Sequence, residues 1–505
     1  MGTTMTSKNQ GPSADVVLSA ARALADQAFA RAAGAPLVPG NTVRILKDAR
    51  ENYPAWLEAI ASAKSTIHFE TYIIHRDDIG LQFAEALAER ARQGVRVRLL
   101  YDWLGSFSVS LRPRWPMLAR AGVEVRSFNP PRIDRPFGWI SRDHRKVLTI
   151  DGRLGFVSGL CVGRDWVGDP ERHLEPWRDT GVVIEGPAVA DVELAFAETW
   201  AAAGAPLSST DLRSKASIPA VGTVMARVVA STPTTAQLYR LDQLIAAGAR
   251  RSLWLTDAYF VGTTLYVEVL KSAATDGVDV RLLVPRASDV PFIGPLSRAG
   301  YRPLLEAGVR VFEWNGSMLH AKTAVADSRW ARVGSTNLNL ASWIGNWELD
   351  VAVEDEPFAN AMEAMYLEDL SHATEVVLTA RRRVRLSQQS EPRRHRPPGV
   401  MHGSGGRVAA GALGVSSAVG AAITNHRVLG PAEARVMASA GLLLLAVSGV
   451  AMTWPKVVAI PLSVILGWVA LALLFRAATL GLQGKETRLP WRRHHPSEPT
   501  GTRDV

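Results

Sequence analysis

The sequence is poor in cysteine, with Cys161 as its single example in 505 residues. An internal disulfide framework is therefore excluded, which fits a reducing compartment or a fold that needs no covalent cross-links. The first forty residues also lack a continuous apolar run behind a basic start, so a cleaved secretory signal is not expected. The same region has the pattern of an amphipathic helix over 14–34.

Lysine is scarce as well, since only nine of the 57 basic residues are lysine and the rest are arginine. The formal net charge of +9 favours anionic partners such as phospholipid headgroups or nucleic acid, but does not choose between them. At this length the chain is expected to form two or three structural units with a large buried core.

Charged residues are absent from two stretches near the C-terminus, 436–454 and 457–475, which only Pro455 and Lys456 separate. Each is long enough to cross a bilayer core at about 1.5 Å per residue, so the pattern predicts a transmembrane helical hairpin, with a buried core hairpin as the alternative. Arginine-rich segments on both sides, 381–396 and 476–493, predict that both ends and the preceding domains face the cytoplasm. A third stretch, 408–424, could span the membrane, lie at its interface or be an ordinary helix.

Between 41 and 378, short apolar runs alternate with helical stretches, which indicates an α/β sandwich with mixed or parallel sheets. Four segments of this region recur in the same order, and their second copies follow the first by 187, 183, 186 and 176 residues. The near-constant spacing predicts a duplicated unit, and the shorter last spacing indicates an extra loop around 130–141 before the last segment of the first copy. The equivalent residues from which these spacings are taken are Tyr72 and Tyr259, Gly94 and Gly277, Ala121 and Ala307, and His144 and His320.

The resulting division of the chain has six parts. They are a helical segment (1–40), a first unit (41–205), a second unit (206–378), an arginine-rich linker (379–406), a membrane region containing the hairpin (407–482, hairpin 436–475) and a basic tail (483–505).

The fourth repeated segment carries the chemistry, because both copies have the form His-x-Lys-x4-Asp. On a strand, the His and Lys project from one face and the Asp falls in the following turn. An imidazole can attack phosphorus while a lysine ammonium neutralises charge on the non-bridging oxygens, and a second imidazole can serve as acid and base for the alcohols. The alternative is that both segments are ordinary strands with polar residues at their ends and no catalytic role. The predicted catalytic residues are His144, Lys146, Asp151, His320, Lys322 and Asp327.

A nucleophilic imidazole needs a carboxylate that holds its other nitrogen as a donor. Asp179 and Glu348 are the candidates from across the repeat, although either could be structural. Lysine at both motifs is informative in a chain that otherwise prefers arginine, since a compact ammonium suits a phosphate oxygen.

Two such motifs in a duplicated α/β unit resemble the phospholipase D superfamily. The second copy continues into Gly334, Ser335, Thr336 and Asn337, similar to the Gly-Ser-x-Asn of that family, which implies that Ser335 and Asn337 bind phosphate. In the first copy, Gly159 and Cys161 replace the family's Ser and Asn, so its phosphate contacts differ. We expect Cys161 to be a small packed residue and not a reactive thiol.

Within the superfamily, the chain resembles bacterial cardiolipin synthases over about 41–378, through the segments 69–73, 102–106, 177–180 and 185–189. The resemblance implies two tandem phospholipase D-like α/β sandwich units packed as a pseudo-twofold pair, to which the sequence adds the C-terminal transmembrane hairpin. It further implies a phosphatidyltransferase that makes cardiolipin from phosphatidylglycerol through a phosphohistidine-type intermediate. By analogy His144 is the nucleophile and His320 the acid/base, although the sequence permits the reverse.

Neither a cofactor nor a metal is expected, since lysine is a poor metal ligand and no carboxylate cluster has a two-metal spacing. The expected partners are anionic phospholipid substrates and the cell membrane, not nucleic acid. The sequence also permits two alternatives: a phospholipid hydrolase or metal-independent nuclease of the same superfamily, and a non-catalytic lipid-binding membrane scaffold.

Overall fold

The strands of the two predicted halves join into one mixed sheet of sixteen strands within the described residues. The computed structural model describes residues 14–111, 116–132, 140–290, 293–378, 384–386, 441–442, 445–446 and 448–486. The described residues of both halves, except 131 and 132, belong to one compact unit, and residues 131, 132 and 445–486 belong to a second.

The elements of the first half follow the N-terminal helix α1. In chain order they are α1 (Ala14–Ala33), β1 (Val38–Lys47), α2 (Asp48–Ser62), β2 (Thr66–Thr71), α3 (Asp78–Arg92), β3 (Arg96–Asp102), α4 (Phe107–Leu111), α5 (Pro116–Arg120), β4 (Glu124–Phe128), β5 (Val147–Ile150), β6 (Leu154–Ser158), α6 (Arg164–Val167), β7 (Thr180–Glu185) and α7 (Val189–Ala202). Short 3-10 turns lie at Pro170–Arg172, Ser209–Asp211 and Lys215–Ser217.

The elements of the second half repeat this sequence, and two further strands and a helix follow. They are β8 (Val224–Ser231), α8 (Gln237–Gly248), β9 (Ser252–Thr256), α9 (Thr264–Thr275), β10 (Asp279–Pro285), α10 (Ile293–Glu306), β11 (Arg310–Trp314), β12 (Thr323–Ala326), β13 (Trp330–Gly334), α11 (Leu340–Ile344), β14 (Glu348–Glu354), α12 (Glu356–Ser371), β15 (Ala373–Leu378), β16 (Val384–Leu386) and α13 (Pro455–Glu486).

The order of strands is the same in both halves when it is read outward from the middle of the sheet. It runs β1-β7-β6-β5-β2-β3-β4 on one side and β8-β14-β13-β12-β9-β10-β11 on the other, with β15 and β16 beyond β11. Strands β2, β3 and β4 pair in parallel, as do β9, β10 and β11, because helices cross over between them. The predicted α/β fold with a mixed sheet is confirmed.

The two halves are joined more closely than two packed units, because their first strands pair with each other. Strand β1 runs antiparallel to β8, with Val38 opposite Ala226 and Asn41 opposite Val224. This pairing removes an exposed edge from each half, where unpaired backbone groups would otherwise face solvent. An apolar core formed by both halves lies around the junction and includes Val157 and Val333.

Helix α1, predicted over 14–34, packs on α8 of the second half. Arg240 Nε donates to the Ala32 carbonyl at 3.2 Å, and Arg227 Nη1 donates to the Ala35 carbonyl at 2.5 Å. At the other end, the segment predicted as an arginine-rich linker contains strand β16, which pairs with β15. Most of that linker, the stretch 408–424 and most of the basic tail lie outside the described residues.

The predicted hairpin is covered only in part. Its second stretch, 457–475, lies within α13, while 436–440 and three residues of the first stretch lie outside the described residues. Among the residues that are described, no helix combines the length and the apolar character needed to span a bilayer.

Candidate active site

The segments that carry the two motif histidines are each tied to the opposite half. The His144 N–H donates to the Trp347 carbonyl at 2.9 Å, and the Trp347 N–H donates to the Arg142 carbonyl at 2.8 Å. The His320 N–H likewise donates to the Arg178 carbonyl at 2.7 Å. Each histidine therefore meets residues of the other half just before its strand, β5 or β12, begins.

These backbone pairings bring a carboxylate to each histidine from the other half. His144 Nδ1 lies 2.8 Å from Glu348 Oε2, and His320 Nδ1 lies 2.7 Å from Asp179 Oδ2. All four side chains are buried. A carboxylate that accepts from Nδ1 fixes the tautomer, so that Nε2 carries the lone pair needed for attack or proton transfer. We refer to Asp179 and Glu348 as the crossed carboxylates.

The surroundings of the crossed carboxylates differ. Burial raises the pKa of Glu348 to about 7, although the Ser335 hydroxyl donates to it at 2.6 Å. Burial acts on Asp179 in the same direction, but His320 and Lys322 outweigh it and hold the Asp179 pKa below its ordinary value. Asp179 is therefore ionised at neutral pH, whereas Glu348 titrates near neutrality, and the two halves of the site are electrically unlike.

The motif lysines are buried in equivalent places. Each ammonium donates to the backbone carbonyl of its own motif histidine. Lys146 Nζ lies 5.2 Å from the centre of the Tyr72 ring, and Lys322 Nζ lies 5.8 Å from that of Tyr259. Burial lowers the pKa of both lysines, and Lys146 contributes to lowering that of Lys322 to about 8. Two cations that destabilise each other in a buried site favour a bound anion.

The second histidine is also affected by both lysines. Burial and Lys322 lower the pKa of His320 to about 3, and Lys146 of the first half adds to this effect. His320 is therefore neutral in the free site at physiological pH. Since Lys146 acts electrostatically on both His320 and Lys322, the structure brings the His and Lys of the two motifs into one site.

The motif aspartates lie elsewhere, although they were predicted with the catalytic residues. Asp151 accepts hydrogen bonds from the backbone N–H groups of residues 64–66 at 2.7–2.9 Å, where β2 begins. Asp327 accepts from those of residues 250–252 at 2.7–3.0 Å, where β9 begins. Strand β5 separates Asp151 from Lys146, a separation of roughly 15 Å along an extended chain. The geometry therefore gives the aspartates a role in joining strands, away from the imidazoles.

Replacing Asp327 with alanine is expected to lower the free energy of unfolding by about 1–3 kcal/mol, since three charge-assisted hydrogen bonds are lost. The turnover of the folded fraction is expected to stay within about twofold of wild type. Urea unfolding and turnover per folded molecule check the two expectations together. A loss of turnover comparable to that of a histidine variant, without loss of stability, would return Asp327 to the chemistry.

The two copies of the motif differ in the residues that follow them, and the contacts of these residues differ as well. Ser335 bonds Glu348, while the buried side-chain oxygen of Asn337 has no hydrogen-bond partner among the described residues. At the Ser335 position the first copy has Gly159, where any side chain would run into Asp179 Oδ1. Cys161 is buried as expected, and it lies near enough to both motif lysines to act on their pKa values.

Aromatic side chains around the histidines were not singled out from the sequence. The Tyr72 ring meets His144 edge-on at 4.8 Å between centres, and Tyr259 meets His320 at 6.0 Å. Trp166 and Trp177 also flank His320, at 5.6 and 5.5 Å. The repeated Tyr was visible in the first pair of repeated segments, but its contact with the histidine depends on the tertiary fold. Within the described part of the chain, no group of His, Cys, Asp and Glu is arranged to hold a metal ion.

A duplicated mixed α/β sheet with two buried His-x-Lys pairs at one site defines an enzyme of the phospholipase D type. The chain belongs to the family of phospholipase D-like cardiolipin synthases, since the family model described as "Cardiolipin synthase, PLD-like domain" matches residues 56–199 and 242–370.

Individual relatives agree with the family assignment. The chain is 33% identical over 402 residues to cardiolipin synthase A of Pseudomonas fluorescens, covering 77% of this chain and 81% of the relative. It is 32% identical over 345 residues to a cardiolipin synthase of Alkalihalophilus pseudofirmus, covering 68% of each. Among solved structures, a phosphatidylserine synthase of Haemophilus influenzae matches with a TM-score of 0.56 and 14% identity, over 69% of this chain and 91% of that chain. At that identity the structural match shows the fold alone.

Proposed function

We propose that the protein is a phosphatidyltransferase of the cardiolipin synthase type, which exchanges alcohols on phospholipid phosphodiesters and makes cardiolipin from phosphatidylglycerol. The observation that carries the proposal is the convergence of two carboxylate-held imidazoles and two buried lysine cations at one site. Such a site offers a nucleophile, an acid/base and charge neutralisation to a single phosphodiester.

In the first step, Nε2 of His144 attacks the phosphorus of one phosphatidylglycerol. The new P–N bond forms as the P–O bond to glycerol breaks, and His320 donates a proton to the departing oxygen. In the second step, His320 removes a proton from a hydroxyl of another phosphatidylglycerol, and that oxygen attacks phosphorus as the P–N bond breaks. Lys146 and Lys322 neutralise the non-bridging oxygens in both steps, and the products are cardiolipin and glycerol.

The unlike crossed carboxylates support this assignment of roles. Ionised Asp179 stabilises a protonated His320, as an acid/base requires, whereas Glu348, whose pKa is about 7, does so less for His144. In the free site burial holds His320 neutral, with a pKa of about 3. A bound phosphodiester adds negative charge beside it and raises that pKa, so that the acid form arises when substrate binds.

We further infer that the C-terminal segments anchor the protein in the cell membrane as a helical hairpin, with the catalytic unit on the cytoplasmic side. Large apolar side chains of α13 are more than half exposed, among them Val457, Leu466 and Phe475 at 61%, 60% and 62%. Contiguous exposed apolar surface is costly in water and marks contact with lipid or protein.

Protease added outside intact cells is expected to leave the catalytic unit uncut, because that unit lies on the cytoplasmic side in this proposal. Rapid cleavage of the catalytic unit would contradict the orientation.

The direct test of the transfer uses purified protein in vesicles of phosphatidylglycerol labelled both in the acyl chains and in the headgroup. We expect one cardiolipin for each glycerol released. Phosphatidic acid as the sole lipid product would identify a hydrolase, and cleavage of added DNA without lipid turnover would identify a nuclease. No turnover of either substrate would leave a lipid-binding scaffold.

A further inference from the structure

Behind His144 lies a buried cluster of charged side chains that the transfer steps do not use. It consists of three carboxylates and two guanidinium groups, each exposed by 1% or less. Unless one of them carries a proton, the three acids leave the cluster with an excess negative charge in a region shielded from water. Its members are Glu70, Asp102, Asp143, Arg142 and Arg145.

The hydrogen bonds inside the cluster indicate that Asp102 is the ionised acid, although burial raises its pKa above the ordinary value. Asp102 accepts from Arg142 at 3.1 Å and from the backbone N–H groups of residues 104, 105 and 143 at 2.8–3.0 Å, as an ionised carboxylate does. The Arg145 guanidinium donates to backbone carbonyls of residues 195, 231 and 348 and to the Thr199 hydroxyl. Neither guanidinium donates a hydrogen bond to Glu70 or Asp143 among the described residues.

The remaining two acids face each other. Both carboxyl oxygens of Glu70 and one of Asp143 are buried without a hydrogen-bond donor in the described part of the chain. The Glu70 side chain lies within hydrogen-bond reach of Asp143 and of the Thr199 hydroxyl, but that hydroxyl donates its proton to the Ala195 carbonyl at 3.2 Å. Two buried carboxylates in contact repel each other strongly unless a proton lies between them, and that proton then supplies the missing donor.

We propose that Glu70 and Asp143 share a proton, and that this carboxyl pair positions the segment carrying His144 for the transfer. Asp143 is directly bonded to His144 along the chain, and its N–H is held by Asp102. The next residue, Arg145, donates Nε to the backbone carbonyl of Glu348 at 3.2 Å. The carboxyl pair therefore adjoins the residues whose backbone contacts bring Glu348 to His144. The positioning role rests on the proposed function, whereas the shared proton does not.

The second half shows that the fold does not require such a pair. Leu319 and Ala321 occupy the places of Asp143 and Arg145, and both are buried. At the place of Glu70, opposite the first residue of the strand that follows the motif lysine, the second half has Thr256, which is buried and carries no carboxyl group. The shared proton is therefore a property of the His144 half alone.

Loss of the shared proton is expected to lower the stability of the folded protein as pH rises. Burial raises the pKa of Asp143 well above its ordinary value and that of Glu70 to about 7. Because the folded protein holds a proton that the unfolded chain releases at lower pH, its contribution to stability is complete in acid and is lost as pH rises through the folded pKa. The charged groups around the pair are Asp102, Arg142, Arg145, Glu198 and, in the adjoining site, Lys146.

The test replaces Glu70 with glutamine, which donates to Asp143 as a protonated carboxyl does but does not titrate. The measured quantity is the rate of phosphatidyl transfer by Glu70→Gln divided by the wild-type rate. This ratio is expected to be about one at about pH 6 and to rise by about threefold or more at about pH 9. The ratio cancels the alkaline loss caused by Lys322, which both proteins contain. Asp143→Asn is expected to behave alike. The matched control is Glu198→Gln, since Glu198 is half-exposed and 3.7 Å from Arg145, and its ratio is expected to stay flat.

Thermal unfolding supplies a readout that needs no substrate. The melting temperature of Glu70→Gln relative to wild type is expected to rise between about pH 5 and about pH 8, and that of Glu198→Gln to stay constant. Flat melting differences for both Glu70→Gln and Asp143→Asn would overturn the shared proton. A pH-dependent melting difference with a flat transfer ratio would overturn the positioning role. If no phosphatidyl transfer occurs in any protein, the melting series still decides the shared proton, and the failure belongs to the proposed function.

Discussion

Alanine at either motif histidine is expected to lower phosphatidyl transfer by about 10⁴-fold or more, because each variant removes a reacting group that no neighbour replaces. His144→Ala loses the nitrogen that takes up the phosphatidyl group. His320→Ala loses the proton donor and acceptor for the two alcohols. Transfer from labelled phosphatidylglycerol measures the loss, and the exposed His372, altered to alanine, is the control that keeps wild-type activity.

The two histidine variants are separable by the leaving group. A phosphatidyl ester of nitrophenol needs no acid to depart, so His320→Ala is expected to release about one equivalent of nitrophenol per site in a burst near the wild-type rate, while later turnovers stay slow because no base activates the second alcohol. His144→Ala is expected to remain inactive with the same substrate. The opposite pattern would exchange the two roles, and full turnover of phosphatidylglycerol by both variants would reject the site altogether.

The second large effect is expected at the crossed carboxylates. Asp179→Asn and Glu348→Gln keep the size of the side chain but also offer an N–H to the imidazole, so that the wrong tautomer is stabilised. We expect each to lower turnover by about 10²–10⁴-fold. Glu193→Gln, in a buried carboxylate that bonds Thr149 instead of a motif histidine, is the matched control.

Because each crossed carboxylate holds the histidine of the other half, the two carboxylate variants are expected to differ in their response to the nitrophenyl ester. Asp179 belongs to the first half but holds His320, so Asp179→Asn should be rescued by the nitrophenyl ester, as His320→Ala is. Glu348→Gln should not be rescued, because it holds His144. Combining each carboxylate variant with loss of its own histidine should add little, since both remove one function. Rescue of the opposite pair would show that each carboxylate serves the histidine of its own half.

The duplication and the motif positions were predictable because both are local in sequence. Repeated Gly-Val-x-Val segments mark the entry into strands β3 and β10, and the His-x-Lys spacing places two side chains on one strand face. The α/β class followed from the same periodicity. The crossed carboxylates could be named from sequence as candidates, but their pairing depends on the backbone contacts of Arg178 and Trp347 with the other half.

Other features depended on tertiary contacts that have no local signal. The pairing of β1 with β8 makes one sheet out of two predicted units, although nothing in either strand specifies its partner. The motif aspartates lie at a fixed spacing from the motif His and Lys, yet the strand between them places each aspartate at its far end. The Glu70 and Asp143 carboxyls are far apart in sequence, and only the fold places them in contact.

The stereochemistry at phosphorus tests most directly whether one imidazole carries the phosphatidyl group between two alcohols. A phosphatidylglycerol made chiral at phosphorus by oxygen isotopes is converted to cardiolipin, and the configuration of the transferred phosphate is determined. Two successive in-line displacements, onto His144 and off again, predict net retention. Net inversion would mean that the second alcohol attacks phosphorus directly, and would contradict the account.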